Sequence, residues 1–178
     1  MDLPWPLTDG RVTVRAAEDD DAAAFLAYKR RPECQAYVTR TVDTLEQSQV
    51  LIADRLSETD SLLCAVMVDG HVVGDVGGRR YRPESLGPVP DAHDFYLGYS
   101  VHPDHWNRGI ASAATALVVA ALHDSGIRRV VAKTFSENVG SVRVLIKNGF
   151  RLEGTERLAV LGRDGRWLDD CTLAHLGA

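Results

Sequence analysis

His102-Pro103-Asp104-His105-Trp106-Asn107-Arg108-Gly109-Ile110-Ala111 joins an apolar strand pattern, Phe95 to Val101, to a long Ala-rich helical pattern. A strand that turns into a helix at a glycine leaves several backbone N–H groups unpaired and convergent, and the helix dipole adds positive potential at the same point. That is a seat for a phosphate. Gly109 and the small Ala111 let an anionic group approach the backbone, and Arg108 supplies a mobile positive charge beside it. The turn predicts an anion site and, with the strand before it and the helix after it, one crossover of an α/β kind. The same turn alone would also fit a plain connection or a generic nucleotide-phosphate module, so the rest of the chain has to discriminate.

The 178 residues are 45% hydrophobic and 25% charged, which suits one globular domain spanning 1–178 with a full core. With 20 Lys and Arg against 25 Asp and Glu the net charge is −5, so composition points to no nucleic-acid partner and no anionic membrane surface. Any bound anion must be gripped locally. Cys34, Cys64 and Cys171 are scattered, without a C-x-x-C pair or a His cluster at ligand spacing, which predicts neither a metal site nor a disulfide framework and fits a reducing cytoplasm. The opening Met1-Asp2-Leu3-Pro4-Trp5-Pro6 lacks the basic and apolar regions of a signal peptide, and no apolar run reaches membrane-spanning length.

Along the chain, Arg11 to Ala17 alternates as a strand, and Glu18-Asp19-Asp20-Asp21 suits the first turn of a helix through Phe25, Leu26 and Tyr28. Thr44-Leu45-Glu46-Gln47 fits a capping box that opens a second helix through Ile52 to Leu56. Leu62 to Val68 and Val72 to Arg80 flank Asp69-Gly70, a two-residue hairpin signal. Arg82 to His93, with Pro83, Gly87, Pro88 and Pro90, reads as a loop long enough to face a substrate. The helix after the glycine turn aligns Ile110, Ala113, Ala114, Leu117, Val118, Ala121 and Leu122 on one face and stops at Gly126. Val130 to Thr134 is a short strand, Asn138 to Lys147 a helix ended by Gly149, and Phe150 to Leu161 with Trp167 to Leu176 a hairpin across Asp164-Gly165. The order β-α-α-β-β-β-α-β-α-β-β implies an α+β fold with a mixed sheet, antiparallel at its hairpins and parallel at its helical crossover.

This order, with those motifs in those places, resembles the GNAT superfamily of acyl-CoA-dependent N-acyltransferases over nearly the whole chain. The family's phosphate pattern is Gln or Arg, two residues, Gly, one residue, Gly or Ala; Gly109 and Ala111 fill its last two places and Trp106 its first. Trp in that place resembles the branch of ribosomal-protein N-terminal alanine and serine acetyltransferases. Ser136-Glu137-Asn138-Val139-Gly140-Ser141 and, further on, Lys147-Asn148-Gly149-Phe150 are similar to that branch's second signature. The resemblance implies a mostly antiparallel central sheet with helices on both faces, and acetyl-CoA as co-substrate with no metal.

It implies roles as well. Pantetheine would lie along a strand edge as if it were an extra strand, with Ser100 and Val101 offering that edge. The pyrophosphate would rest on the N–H groups of Arg108, Gly109, Ile110, Ala111 and Ser112, Asn138 would bond the pantetheine arm, and Lys147 or Arg143 would approach the adenosine phosphates. An amine would attack the thioester directly, with the Val101 N–H holding the oxyanion. The family often protonates the departing thiolate with a Tyr four residues before the Gly-Phe pair; Leu145 stands there, which makes Ser141, one helical turn away, the substitute acid. A thiol of pKa about 8.5 leaves without much help. The base is chosen among Asp94, His93, His102 and His105, with Asp94 first, because the acid often found two residues before Gly98-Tyr99 is here Tyr96, a strand aromatic able to order a water. Asp169 and Trp167 are placed by the acceptor pocket. The acceptor is a primary amine, either a protein or peptide N-terminus or a small molecule, and a homodimer is compatible with the pattern. A non-catalytic acyl-CoA sensor is the alternative from another class.

Overall fold

The computed structural model describes residues 3–88 and 90–177; Met1, Asp2, Val89 and Ala178, and with them the first two residues of the opening segment and one position of the 82–93 loop, lie outside the described residues. Strands β1 (Leu7–Thr8), β2 (Thr13–Ala16), β3 (Ser61–Val68), β4 (His71–Tyr81), β5 (His93–Val101), β6 (Ile127–Phe135), β7 (Arg151–Leu161) and β8 (Trp167–Leu176) pair into one sheet. Helices are α1 (Ala22–Lys29), α2 (Pro32–Gln35), α3 (Leu45–Ser57), α4 (Ile110–Asp124) and α5 (Val139–Lys147). Across the sheet the strands run β1-β2-β3-β4-β5-β6-β8-β7. Among the described residues only β5 and β6, joined through α4, run parallel, and the other neighbouring strands are antiparallel. No helix among the described residues is long and apolar enough to cross a membrane.

Local chemistry explains most of these boundaries. Thr44 accepts a hydrogen bond from the Gln47 N–H while the Gln47 side chain accepts from the Thr44 N–H, the reciprocal box expected at the start of α3. Asp69 and Gly70 both hold positive φ, 50° and 78°, the mirror-image turn that matches strand twist. The acidic run departs from expectation. Asp19–Asp21 forms a separate 3₁₀ turn, and Asp21 is buried in a bidentate ion pair with Arg15 at 2.8 and 2.7 Å, so α1 begins only at Ala22. Two short elements, β1 and α2, were not foreseen, because two and four residues carry no readable period.

Two apolar layers sandwich the sheet. On one face α1 and α3 bury Phe25, Tyr28 and Ile52 against Leu63 and Ala65. On the other α4 buries Ile110, Ala114, Val118 and Leu122 against Val14, Val66, Val76, Phe95 and Leu97, with Leu145 of α5 and Phe150 beside them. Each such fully buried aliphatic side chain contributes about 1.5–3 kcal/mol. The α1 and α3 layer lies over β3 and β4.

The sheet opens at one place. The β5–β6 ladder runs from His93↔Ile127 to Tyr96↔Val131 and ends there, although β5 continues to Val101 and β6 to Phe135. Beyond it β6 stays paired with β8, and β5 with β4. The second half of β5 therefore borders a wedge-shaped gap.

Candidate active site

Ladder parity decides what β5 offers to the gap. The His102 N–H donates to the Val73 carbonyl at 2.7 Å, and the β4–β5 register is unbroken from Gly74↔Val101 to Tyr81↔Asp94. Antiparallel strands alternate, so even-numbered residues of β5 spend their amides and carbonyls on β4 while Leu97, Tyr99 and Val101 turn theirs toward the gap. Ser100, expected to give its backbone to a cofactor, faces Asp75 of β4 instead; the edge belongs to Tyr99 and Val101. Val101 has only its N–H left to offer there, because its carbonyl is occupied: the Trp106 indole N–H donates to it at 2.6 Å. Trp106 thus ties the phosphate turn to the end of the strand, a long-range role hidden in its motif position.

The turn itself is built on left-handed backbone. Asn107 has φ 58° and Gly109, the residue before α4, φ 75°, and no side chain caps the helix. The first intrahelical bond is the Ala113 N–H to the Gly109 carbonyl at 3.0 Å, so the amides of Gly109, Ile110, Ala111 and Ser112 carry no intrahelical partner. Arg108 is exposed beside them. Sequence reasoning missed Arg11, which reaches from the β1–β2 turn to donate to the Arg108 carbonyl at 2.9 Å, and its guanidinium lies 3.4 Å from where a Gly109 Cβ would be. A separation of 97 residues gives no local signal.

Across the gap stands α5. Its Asn138 accepts from the Ser141 N–H at 3.2 Å, a normal N-cap, which leaves only its amide NH₂ for a cofactor. Ser141 meets Tyr99, whose hydroxyl lies 3.0 Å from both the carbonyl and Oγ of Ser141. A carbonyl only accepts, so the phenol donates to it and takes a hydrogen bond from Oγ. Burial pushes the Tyr99 phenol up to about 12, with the Ser141 hydrogen bond pulling the other way. Tyr99 therefore holds its proton at neutral pH, next to the residue expected as acid. Lys147 and Arg143 are exposed on α5.

Asp94 does not join this group. It lies in the paired half of β5, buried, with both carboxylate oxygens held by Arg128 at 3.1 and 2.8 Å. A carboxylate so bound, seven positions from Val101 and about 23 Å along the strand, is a structural ion pair and not a base for chemistry at the gap. His93 starts the same strand, at the far end from the turn. His102 Nδ1 accepts from the Asp104 N–H at 3.2 Å and packs edge-on against Tyr28 and His105, at the near end. Asp169 is spent on the Leu158 N–H at 2.8 Å, and Trp167 is exposed.

On the α1 side of the sheet, Tyr28 and Lys29 both donate to Asp75 at 2.6 Å, directly beneath Ser100. Gly98, two residues away on the same face, has nothing within 4 Å of where its Cβ would be. Cys34 of α2 lies 3.8 Å from the Val101 carbonyl, and burial pushes its thiol up to about 11, so it stays protonated and is a poor nucleophile. The segment around it is roofed by Arg163 of the β7–β8 hairpin, which donates to the carbonyls of Gln35 and Val38 at 3.2 and 2.8 Å. Tyr37 and Phe135 face each other below, ring centres 6.0 Å apart. The gap is thus reached from both faces: past the α4 turn on one, past Gly98 on the other.

A family model described as an acetyltransferase (GNAT) domain matches residues 11–151. Among curated proteins, the uncharacterized N-acetyltransferase YnaD of Bacillus subtilis is 24% identical over 172 residues, 96% of each chain. The L-amino acid N-acetyltransferase AaaT of Escherichia coli is 27% identical over 172 residues, covering 93% of this chain and 98% of that one. Among solved structures, RimL, a ribosomal L7/L12 alpha-N-protein acetyltransferase in complex with coenzyme A, superposes with a TM-score of 0.80 at 19% identity over 96% of both chains.

Proposed function

The chain belongs to the GNAT acetyltransferase family, and from that premise we propose that it transfers an acetyl group from acetyl-CoA to the α-amine of a peptide N-terminus or of a small molecule such as an amino acid. One observation carries this reading: half of a central strand, Leu97 to Val101, is left unpaired on its β6 side, and the chain runs from it through a short turn to an uncapped helix N-terminus. An extended thioester arm ending in a pyrophosphate matches that pair of features in shape and charge.

The residues then divide the work. The Gly109 to Ser112 amides and the Arg108 guanidinium grip the pyrophosphate, with Arg11 holding the turn in place. The free groups of Tyr99 and Val101 accept the pantetheine as a neighbouring strand, and the Asn138 amide supports it from across the gap. The Val101 N–H faces the carbonyl oxygen as negative charge develops there. The Ser141 hydroxyl turns its proton from Tyr99 to the departing sulfur and takes a proton in return from the Tyr99 phenol, which shifts its own hydrogen bond from the Ser141 carbonyl to Oγ. Cys34, a neutral thiol, takes no covalent part, which is consistent with direct attack by the amine.

The α-amine preference rests on chemistry. Asp94 is tied to Arg128 and Asp75 is held by Tyr28 and Lys29, so the two buried carboxylates beside β5 are both engaged. An α-amine near pKa 7.7–8.0 needs far less deprotonation than a lysine near 10.4. The names of two of the proteins matched above, an L-amino acid N-acetyltransferase and an alpha-N-protein acetyltransferase, share that α-amine. Three unbonded thiols suit the reducing cytoplasm where acetyl-CoA and such amines meet.

The test is acetyl-CoA turnover, read as free-thiol release, on a panel of peptides, amino acids and polyamines, with mass spectrometry of a peptide that bears a free N-terminus and an internal Lys. N-terminal acetylation is expected to predominate. Predominant ε-acetylation overturns the α-amine assignment, and binding without turnover of any amine indicates a sensor.

A further inference from the structure

Tyr96 is a large aromatic side chain in the middle of a sheet, in register with Arg79 of β4 on one side and Val131 of β6 on the other, yet it is 47% exposed. Central-strand side chains are normally covered. This one is bare because the α1 and α3 layer lies over β3 and β4 and does not extend across β5. It is also held flat, for Tyr81 stacks on it with ring centres 4.4 Å apart and planes at 18°.

Alternation places the ring. Tyr96, Gly98 and Ser100 point to the same face of β5, the face on which Asp75 meets α1. Tyr96↔Val131 is the last β5–β6 pair, so the stacked rings stand where the gap begins, and Gly98 opens empty space next along the strand. Tyr96 stands five residues from Val101, about 16.5 Å along the strand. An extended acceptor covers that distance in about five residues, at up to 3.3–3.6 Å each.

The charges around the rings are already matched. Arg79 pairs with Glu58, Arg129 with Glu153, and Asp94 with Arg128. Between these pairs the stack presents a flat π surface to a ligand. We infer that the Tyr81–Tyr96 stack is the specificity platform of the acceptor site, receiving a flat apolar side chain, above all an aromatic one, on about the fifth residue of a peptide acceptor. This rests on the α-amine reading above and sharpens it to a class of N-termini.

The experiment compares kcat/KM for two hexapeptides that differ only at the fifth residue, Phe or Gly, and uses alanine amide as a minimal α-amine. The wild-type protein should favour the Phe peptide about 3- to 10-fold, the range a single aromatic contact supplies. Tyr96→Phe should keep that ratio, which separates the ring from the hydroxyl, and Tyr96→Ala should bring it close to one while acetyl-CoA affinity by calorimetry stays as it was. A wild-type ratio of one, or a ratio that survives in Tyr96→Ala, overturns the platform. So does lost acetyl-CoA affinity in Tyr96→Ala, since the ring would then be a support of the strand. Turnover of alanine amide with neither peptide accepted also overturns it, whereas no turnover of any of the three refutes the α-amine reading itself.

Discussion

Two helices begin beside the gap, and they begin in opposite ways. Helix α5 opens on Asn138, whose side chain accepts from the Ser141 amide, so its exposed N–H groups are partly satisfied from within. Helix α4 opens on Gly109, with no side chain over its first turn and a left-handed φ of 75°. A capped end stabilises the fold by about 1 kcal/mol; an uncapped one forgoes that and keeps its dipole and amides for an anion. The contrast separates a helix end closed by its own side chain from one left open to a ligand.

The sharpest way to break this contrast is Gly109→Glu. A carboxylate there places bulk and negative charge in the seat, on backbone that L side chains resist. Acetyl-CoA affinity by calorimetry should fall by about 100-fold or more while circular dichroism stays native. Unchanged affinity in a folded variant would move the anion site elsewhere.

Next in size is the α5 side. Ser141→Ala and Tyr99→Phe should each lower kcat about 10-fold, at the low end of what proton donation supplies, with acetyl-CoA affinity nearly constant. Because the Tyr99 phenol is pushed up to about 12, wild-type kcat should show no fall from its ionisation below about pH 10. Above the phenol's pKa the proton is gone and the rate contribution goes with it. Unaltered turnover in both variants would leave the pair as a packing contact between β5 and α5.

Smaller still is Arg11→Ala. Loss of its charged hydrogen bond to the Arg108 carbonyl should weaken acetyl-CoA about 5-fold and leave the acceptor KM alone. An equal rise in both constants would mean a general loosening. Asn138→Ala should have the mildest effect: about 1 kcal/mol of stability, a fall in Tm of about 2–4 °C, with acetyl-CoA affinity changed less than in Arg11→Ala. The reverse ranking would make Asn138 the binding residue and α5 the functional end.

What the sequence made legible was short-range chemistry. The Thr44 box, the Asp69-Gly70 turn and the uncapped Gly109 are each decided within four residues, and each is where the pattern placed it. The crossover and hairpins followed from element order, and with them the mixed sheet. Contacts between distant segments were not legible. Arg11 on Arg108, Tyr99 on Ser141 and Arg163 on Gln35 join residues 97, 42 and 128 positions apart, and no local pattern announces them. Asp94 shows the same limit from the other direction: its nearness to the right strand was visible, but not that Arg128, on the neighbouring strand, would claim it. Strand parity was lost too, because a one-residue choice between Ser100 and its neighbours depends on the register with β4.

The shortened β5–β6 ladder has a consequence for the protein as a folding unit. An unpaired half-strand is an edge, and edges are where chains open, fray and find unwanted partners. A ligand that lies along it completes the sheet, so under the proposed function the acyl-CoA would act as a ninth strand supplied from solution. Stability then follows supply by mass action, rising by about 2.7 kcal/mol when the ligand is at 100 times its Kd. Amide hydrogen exchange at Tyr99 and Val101 should slow most, and resistance to proteases should track the metabolic state of the cell.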